Sequence, residues 1–314
     1  MRRSTVLLMW LSTTILAHSA IAGWTTPVPL TEVNSSAEEW SPFLSYDGQT
    51  LYFARVRSDD FYEGRIFQAT RDPLSGSFTN VQEVPGPLNS SVGHVFCEWV
   101  SPDNLRMYYE NQVGSVFTLM MTERASVYDP WPQGTPISEL NAWGSRLTMP
   151  RLTPDELSVV FNAQDIPGGY GGYDMWMSVR DGPDSAFGDI KNLAELNTTA
   201  NEGVGTLTPD GLRICFASDR NGKTQIFQAT RKTLDSPFGS PVHLSVFDIP
   251  GRLSTQPWLA SDGSALYFMS SVIGDRSTRD IWVSYNVVPT PSAFLLGALG
   301  LSFAGWRLRE RDRA

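Results

Sequence analysis

Three glutamates and three tryptophans combine residue types that can do chemistry with a spacing that brings them to comparable places in the chain. Glu39, Glu98 and Glu202 each lie just ahead of or inside a short extended run, and Trp40, Trp99 and Trp258 flank or occupy such runs. Two carboxylates on either side of a bond are the minimum set for acid–base cleavage of a glycoside. An indole offers a flat apolar face on which a sugar or a peptide can stack. Glu98 is the most unusual acid, because the matching positions hold Pro42, Pro150 and Pro257. As catalytic machinery the set is incomplete: Leu147 and Ser254 stand where Glu39 and Glu202 stand. The residues therefore read as ligand contacts, with Glu39, Glu98, Trp99, Glu202 and Trp258 as candidate binding residues and no catalytic residue assigned.

Other chemistries find less support. Beyond residue 22 the histidines are His94 and His243, in different kinds of segment, and no Ser-His-Asp spacing suggests a triad. Cys97 and Cys215 form no metal-ligand spacing. Their places in non-neighbouring repeats put them beyond disulfide reach, so both read as small buried apolar residues. Asp165 and Asp174 flank a glycine-rich loop without matching a calcium-loop pattern, which favours a solvated hairpin. No metal and no cofactor is expected.

A phrase that returns five times supplies the elements that position these residues: LSYDGQTLYF from Leu44, VSPDNLRMYY from Val100, LTPDELSVVF from Leu152, LTPDGLRICF from Leu207 and LASDGSALYF from Leu259. Its aspartates, Asp47, Asp103, Asp155, Asp210 and Asp262, are 56, 52, 55 and 52 residues apart. A unit recurring at about 50 residues indicates a solenoid, a propeller or an array. Within the fourth copy, extended runs alternate with the turns Thr208-Pro209-Asp210-Gly211 and Asn221-Gly222, giving four antiparallel strands, the content of a propeller blade. The aspartates then cap their own turns. Asn34, Asn89, Asn141 and Asn197 do the same at blade junctions. The last copy lacks a fourth strand, whereas a spare one, Val28 to Val33, precedes the first copy. The expected fold is all-β, a five-bladed β-propeller at 23–286 in which the N-terminal strand completes the last blade and removes an open edge.

The ends of the chain carry addresses. Residues 1–22 have the two arginines, apolar core and Ala20-Ile21-Ala22 site of a secretory signal peptide, with cleavage between Ala22 and Gly23. A linker at 287–292 precedes an apolar run at 293–306, expected to be a short transmembrane helix, and an Arg-rich tail at 307–314 expected in the cytoplasm. Setting aside 1–22 and 307–314, which hold six arginines and two acids, leaves 18 basic and 31 acidic side chains, a net charge near −13. Such a surface repels phosphate backbones, so nucleic acid is not an expected partner.

The five phrases resemble the TolB-like, WD-related propeller repeat, LSPDGxxLYFxSxRxGxxDIW, and the loop from Pro167 to Asp174 resembles its GGxGGYDIY variant. That resemblance implies fold and says little of function, since the matched residues are turn and packing residues. Val288, Pro289 and Pro291, the Gly/Ala/Leu-rich run and the arginines resemble a PEP-CTERM sorting signal, with Thr290 where that motif has Glu. The resemblance implies an exosortase-type partner and delivery to the bacterial envelope, surface or extracellular matrix. The expected function is a non-catalytic binding or interaction module whose ligand is a glycan, a peptide or an envelope protein. The alternatives are a secreted glycoside hydrolase of the arabinanase type, with Glu98 acting beside Glu39 or Glu202 in the channel, and a purely structural matrix protein.

Overall fold

Five antiparallel sheets follow one another along the chain in the computed structural model, which describes residues 23–56, 63–144 and 146–287. Blade 1 runs through Glu38–Leu44, Thr50–Val56, Gly64–Arg71 and Phe78–Glu83; blade 2 through His94–Val100, Arg106–Val113, Val116–Glu123 and Thr135–Pro136. Blade 3 comprises Leu147–Leu152, Ser158–Gln164, Tyr173–Val179 and Gly188–Asn192, and blade 4 Glu202–Leu207, Arg213–Ser218, Gln225–Thr230 and Val242–His243. Blade 5 has three consecutive strands, Arg252–Leu259, Ala265–Val272 and Asp280–Val287. Its missing outer strand comes from the start of the chain: Val28–Pro29 pairs antiparallel with Val283 and Trp282, and the Leu30 and Thr25 N–H groups donate to the carbonyls of Ile281 and Tyr285. Trp24–Asn286 form one unit.

The repeated aspartates do what their sequence context implies. Oδ1 of Asp47, Asp103, Asp155 and Asp210 accepts from the hydroxyl two residues before and from the backbone N–H two residues after; Asp262 accepts from the Ser264 N–H. The next residue is left-handed in every blade, which glycine accepts at no steric cost at Gly48, Gly211 and Gly263 and which Asn104 and Glu156 also adopt. Arg71 ends the third strand of blade 1, Arg124, Arg180 and Arg231 directly follow those of blades 2 to 4, and each Nε donates to a carbonyl of this turn. Their guanidinium groups lie over Phe78, Trp131, Phe187 and Phe238 at 4.1–4.6 Å from the ring centroids.

The junction asparagines are equally regular. Asn34, Asn89, Asn141 and Asn197 each accept from the N–H, and donate to the C=O, of one third-strand residue: Ile281, Ile66, Leu119 and Met175. A side-chain amide thereby imitates the peptide of a neighbouring strand. Asn89 is buried and makes a third bond to the Val84 carbonyl. Replacing Asn89 by Ala leaves those backbone groups without partners and is expected to cost about 1–3 kcal/mol, read as a lower urea midpoint with an unchanged slope.

The two cysteines are free and buried. Blade 2 departs from the repeat because its second and third strands join through Gly114 and Ser115 alone, with Val113 opposite Val116. The signal peptide, the cleavage point at Ala22, the motif at Val288, Pro289 and Pro291, and the membrane segment at 293–306 lie outside the described residues. Among the described residues no helix is long and apolar enough to cross a membrane.

Candidate functional site

The first strand of every blade is bulged, and that irregularity builds the site. Register shifts fall at Trp40/Phe43, Cys97/Trp99, Thr148/Arg151, Gly203/Thr206 and Thr255/Trp258. A bulge leaves one residue without a ladder partner and re-aims its neighbours. Ser41, Met149 and Gln256 take left-handed backbone there, with φ of 46°, 55° and 53°. Side chains from adjacent blades satisfy the freed groups: Gln256 Oε1 accepts from the Ser41 N–H at 3.0 Å, and Glu110 Oε2 from the Met149 N–H at 3.3 Å. The Ser41 hydroxyl donates to Glu98 Oε1 at 3.0 Å, and Asn162 Nδ2 donates to the Glu202 carbonyl at 2.6 Å.

On one side of these bulges lies a cavity of about 550 Å³ lined by residues from all five blades. Its aromatic wall is formed by Trp40, Phe96 and Tyr173. Trp40 and Phe96 have ring centroids 5.8 Å apart, and His94 stacks on Phe96 at 5.5 Å. The Gly64 N–H donates to His94 Nδ1 at 3.1 Å, so the neutral imidazole carries its proton on Nε2. The lining also includes the amides of Gln112, Asn201 and Gln256 and the carboxyls of Glu98, Glu110 and Asp219. Arg279 lies 3.7 Å over the Trp40 ring and pairs with Glu38 at 2.9 Å.

The floor is a layer of large side chains at one repeat position: Phe43, Trp99, Arg151 and Trp258, with Tyr46 among them. Phe43 and Trp258 meet at 4.2 Å, and the Trp99 indole N–H donates to the Tyr46 hydroxyl at 3.2 Å. Arg151, 1% exposed, reaches from blade 3 to lie 5.4 Å from the Trp258 ring and 3.1 Å from Glu98 Oε2. That approach is close without being an aligned hydrogen bond, and Arg151 Nε and both Nη atoms have no hydrogen-bond partner. Burial raises the Glu98 pKa, which Arg151 and Ser41 partly offset; burial likewise lowers that of Arg151. Glu110 is pushed well above the ordinary carboxyl range by burial and by the charge of Glu98.

The candidate residues from the sequence separate into three groups. Glu98 lines the cavity. Glu39 and Glu202 occupy the same repeat position and have the same local partners: Glu39 accepts from Ser35 and pairs with Arg55 at 2.8 Å, while Glu202 accepts from Thr198 and Ser218 and pairs with Arg220 at 3.1 Å. Both carboxylates tie a junction loop to an arginine. Glu202 touches the cavity and Glu39 is not among its lining residues. Trp99 and Trp258 sit in the floor, with the Trp258 N–H spent on the Leu44 carbonyl, and present no face to the cavity. The indole in the wall is that of Trp40. Glu110 was missed. Its signal is an acid in the second strand of blade 2 where the other blades have Ala54, Asn162, Ala217 and Met269. Among the described residues no cluster of three or more His, Cys, Asp or Glu can hold a metal ion.

No protein-family model matches the sequence, and no curated protein matches it. Solved structures do match in shape. TolB from Acinetobacter baumannii aligns over 80% of this chain and 55% of its own, with a TM-score of 0.50 at 15% identity. The chain thus spans about half the length of that structure. A thermostable family-43 glycoside hydrolase aligns over 80% of this chain and 88% of its own, with a TM-score of 0.53 at 10% identity. Likeness at such identities is a statement of fold alone, a TolB-like β-propeller.

Proposed function

We propose that this propeller is a non-catalytic binding module whose ligand seats in the channel cavity. One observation carries the reading. Trp40, Phe96 and Tyr173 line a space of about 550 Å³ together with the side-chain amides of Gln112, Asn201 and Gln256, a size and lining suited to a sugar unit or a short peptide end. The acids around it are largely engaged: Glu38, Glu98 and Glu202 are held by Arg279, Arg151 and Arg220. A glycan array together with an envelope pull-down tests the reading; both blank with folded protein would remove it. Trp40→Ala is expected to weaken a ligand found this way by about tenfold or more, because stacking on a desolvated ring contributes about 1–2 kcal/mol. Calorimetry of the variant measures that loss.

Hydrolysis of a glycoside is the second reading, favoured by one feature: Glu98 and Glu110 line the same cavity, and burial together with the charge of Glu98 raises the Glu110 pKa. Two carboxyls in one cleft, one of them held protonated to higher pH, are the groups glycosidases use. Against it, Arg151 and Ser41 hold both oxygens of Glu98, which blunts it as a base or nucleophile. Turnover of an arabinan, abolished in Glu98→Gln, would establish this reading over the first.

The address of the protein is part of the proposal. The signal peptide at 1–22, the Val288-Pro289-Thr290-Pro291 motif and the arginines behind it support export, anchoring through 293–306 and handling by an exosortase-type enzyme. The propeller would then face the cell envelope, the surface or the matrix. Cell fractionation of the intact chain against one lacking 287–314 tests the anchoring.

A further inference from the structure

One buried acid in the cavity is answered by no cation. Glu110 is 4% exposed, and it lines the cavity. Its Oε2 accepts the Met149 N–H; its Oε1 accepts no hydrogen bond, and among the described residues no Lys, Arg or His pairs with it. A buried carboxyl in that state resists ionising until a positive charge arrives. The other blades carry Ala54, Asn162, Ala217 and Met269 at this position, so the repeat does not require an acid there.

The neighbours define what would answer it. Phe96 is the direct cross-strand partner of Glu110, so carboxyl and ring share one face of blade 2 as immediate neighbours. Trp40 packs against Phe96. A cation placed beside an aromatic face with a carboxylate at its edge gains both cation–π and ion-pair attraction in a desolvated setting. Amides of Gln112, Asn201 and Gln256 elsewhere on the wall suit hydroxyl groups.

We infer that the cavity takes an amine-bearing sugar, its ammonium lodged between Glu110 and the Phe96–Trp40 wall and its hydroxyls on the amides of the lining. This rests on the binding reading above and names its ligand class. Binding is linked to a proton: the Glu110 carboxyl gives its proton to solvent, and the carboxylate so formed pairs with the ammonium. The charged and titratable groups around Glu110 are His94 and Glu98 on the first strand of its own blade, Arg151 on that of blade 3 with Arg146 just ahead of it, and Tyr173 and Asp174 on the third strand of blade 3. Glu98 favours keeping the proton on Glu110.

Calorimetry on the full chain with glucosamine, glucose and N-acetylglucosamine tests the inference. The expected result is glucosamine bound at least about tenfold more tightly than the two neutral sugars. Its affinity should rise from about pH 5 to about pH 7, with buffer-dependent heats that report proton release. Glu110→Gln, checked for fold by circular dichroism, should abolish both the amine preference and the proton release. Equal affinity for glucosamine and N-acetylglucosamine, or a preference that survives in Glu110→Gln, overturns the inference and leaves the binding reading standing. If none of the three sugars binds while the glycan array or pull-down scores another ligand, the inference falls alone; if those are blank as well, both fall.

Discussion

Arg151→Ala is expected to destabilise the protein by about 3–5 kcal/mol, because it leaves the carboxylate of Glu98 buried without its partner. For a chain of this size that corresponds to a loss of roughly 6–20 °C in Tm. The origin of the effect decides what should repair it. If the loss came only from the space vacated among Phe43, Trp99 and Trp258, filling it would suffice. If it comes from charge, a second change at Glu98 is needed. Arg151→Met alone should therefore remain strongly destabilised, while Arg151→Met combined with Glu98→Gln should recover most of the stability, since an apolar or neutral pair of similar volume replaces a buried ion pair at little cost.

The pH dependence of the single variant carries a sign that separates the two origins. In the folded protein burial outweighs Arg151, so Glu98 holds its proton to higher pH than the ordinary glutamate value of 4.5. The folded chain then binds more protons than the unfolded chain above that value, and stability falls as pH rises through the window between the two. Removing Arg151 deletes the main influence that lowers the Glu98 pKa, so the window widens upward. The deficit of Arg151→Ala relative to wild type should be largest near neutrality and shrink as pH approaches 4.5. Urea unfolding at a series of pH values measures this, and a deficit independent of pH would assign the loss to packing instead.

The fold was legible because its signals are local and repeated. Each aspartate turn announces itself in five residues, and the strand after it opens on a short apolar run, such as Leu51–Ala54 or Ala265–Met269, that is buried on both faces. Closure was legible for a different reason: the count of fourth strands came out one short at the end of the chain and one over at the beginning. The candidate site was harder to see because its geometry depends on bulges, and a bulge changes which neighbour faces the channel. Trp40 and Trp99 look alike as tryptophans in first strands, yet Trp99 lies beyond the bulge of blade 2 and Trp40 ahead of that of blade 1, so one packs the floor and the other forms the wall. Glu39 and Glu202 looked like chemistry because they are acids at matching positions. Their match was itself the sign of a structural device, since each serves an arginine in or just after the adjacent second strand. The residues that break the repeat, Glu98, Glu110 and Arg151, are the ones that meet around the base of the channel.

Closure of the ring by the N-terminal segment supplies the other large expected effect. The third strand of blade 5, Asp280–Val287, would be an exposed edge without Val28–Pro29 and the bonds that Thr25, Leu30 and Asn34 make to Tyr285 and Ile281. Leu30 and Val33 are buried in the main core, so the segment is held by apolar packing as well as by the ladder. Leu30→Ala should cost about 2–5 kcal/mol. Deleting residues 24–34 should do more, because it opens a ring and bares a strand edge able to pair with another chain. The expected product is a species that associates at micromolar concentration, seen by light scattering, rather than a less stable monomer. A synthetic peptide of residues 24–34 added during refolding should restore the monomer by filling the vacant edge. A truncated chain that stays monomeric and melts as the full one does would mean that blade 5 is complete without its borrowed strand, and would remove the reason for placing a strand of this sequence ahead of the first repeat.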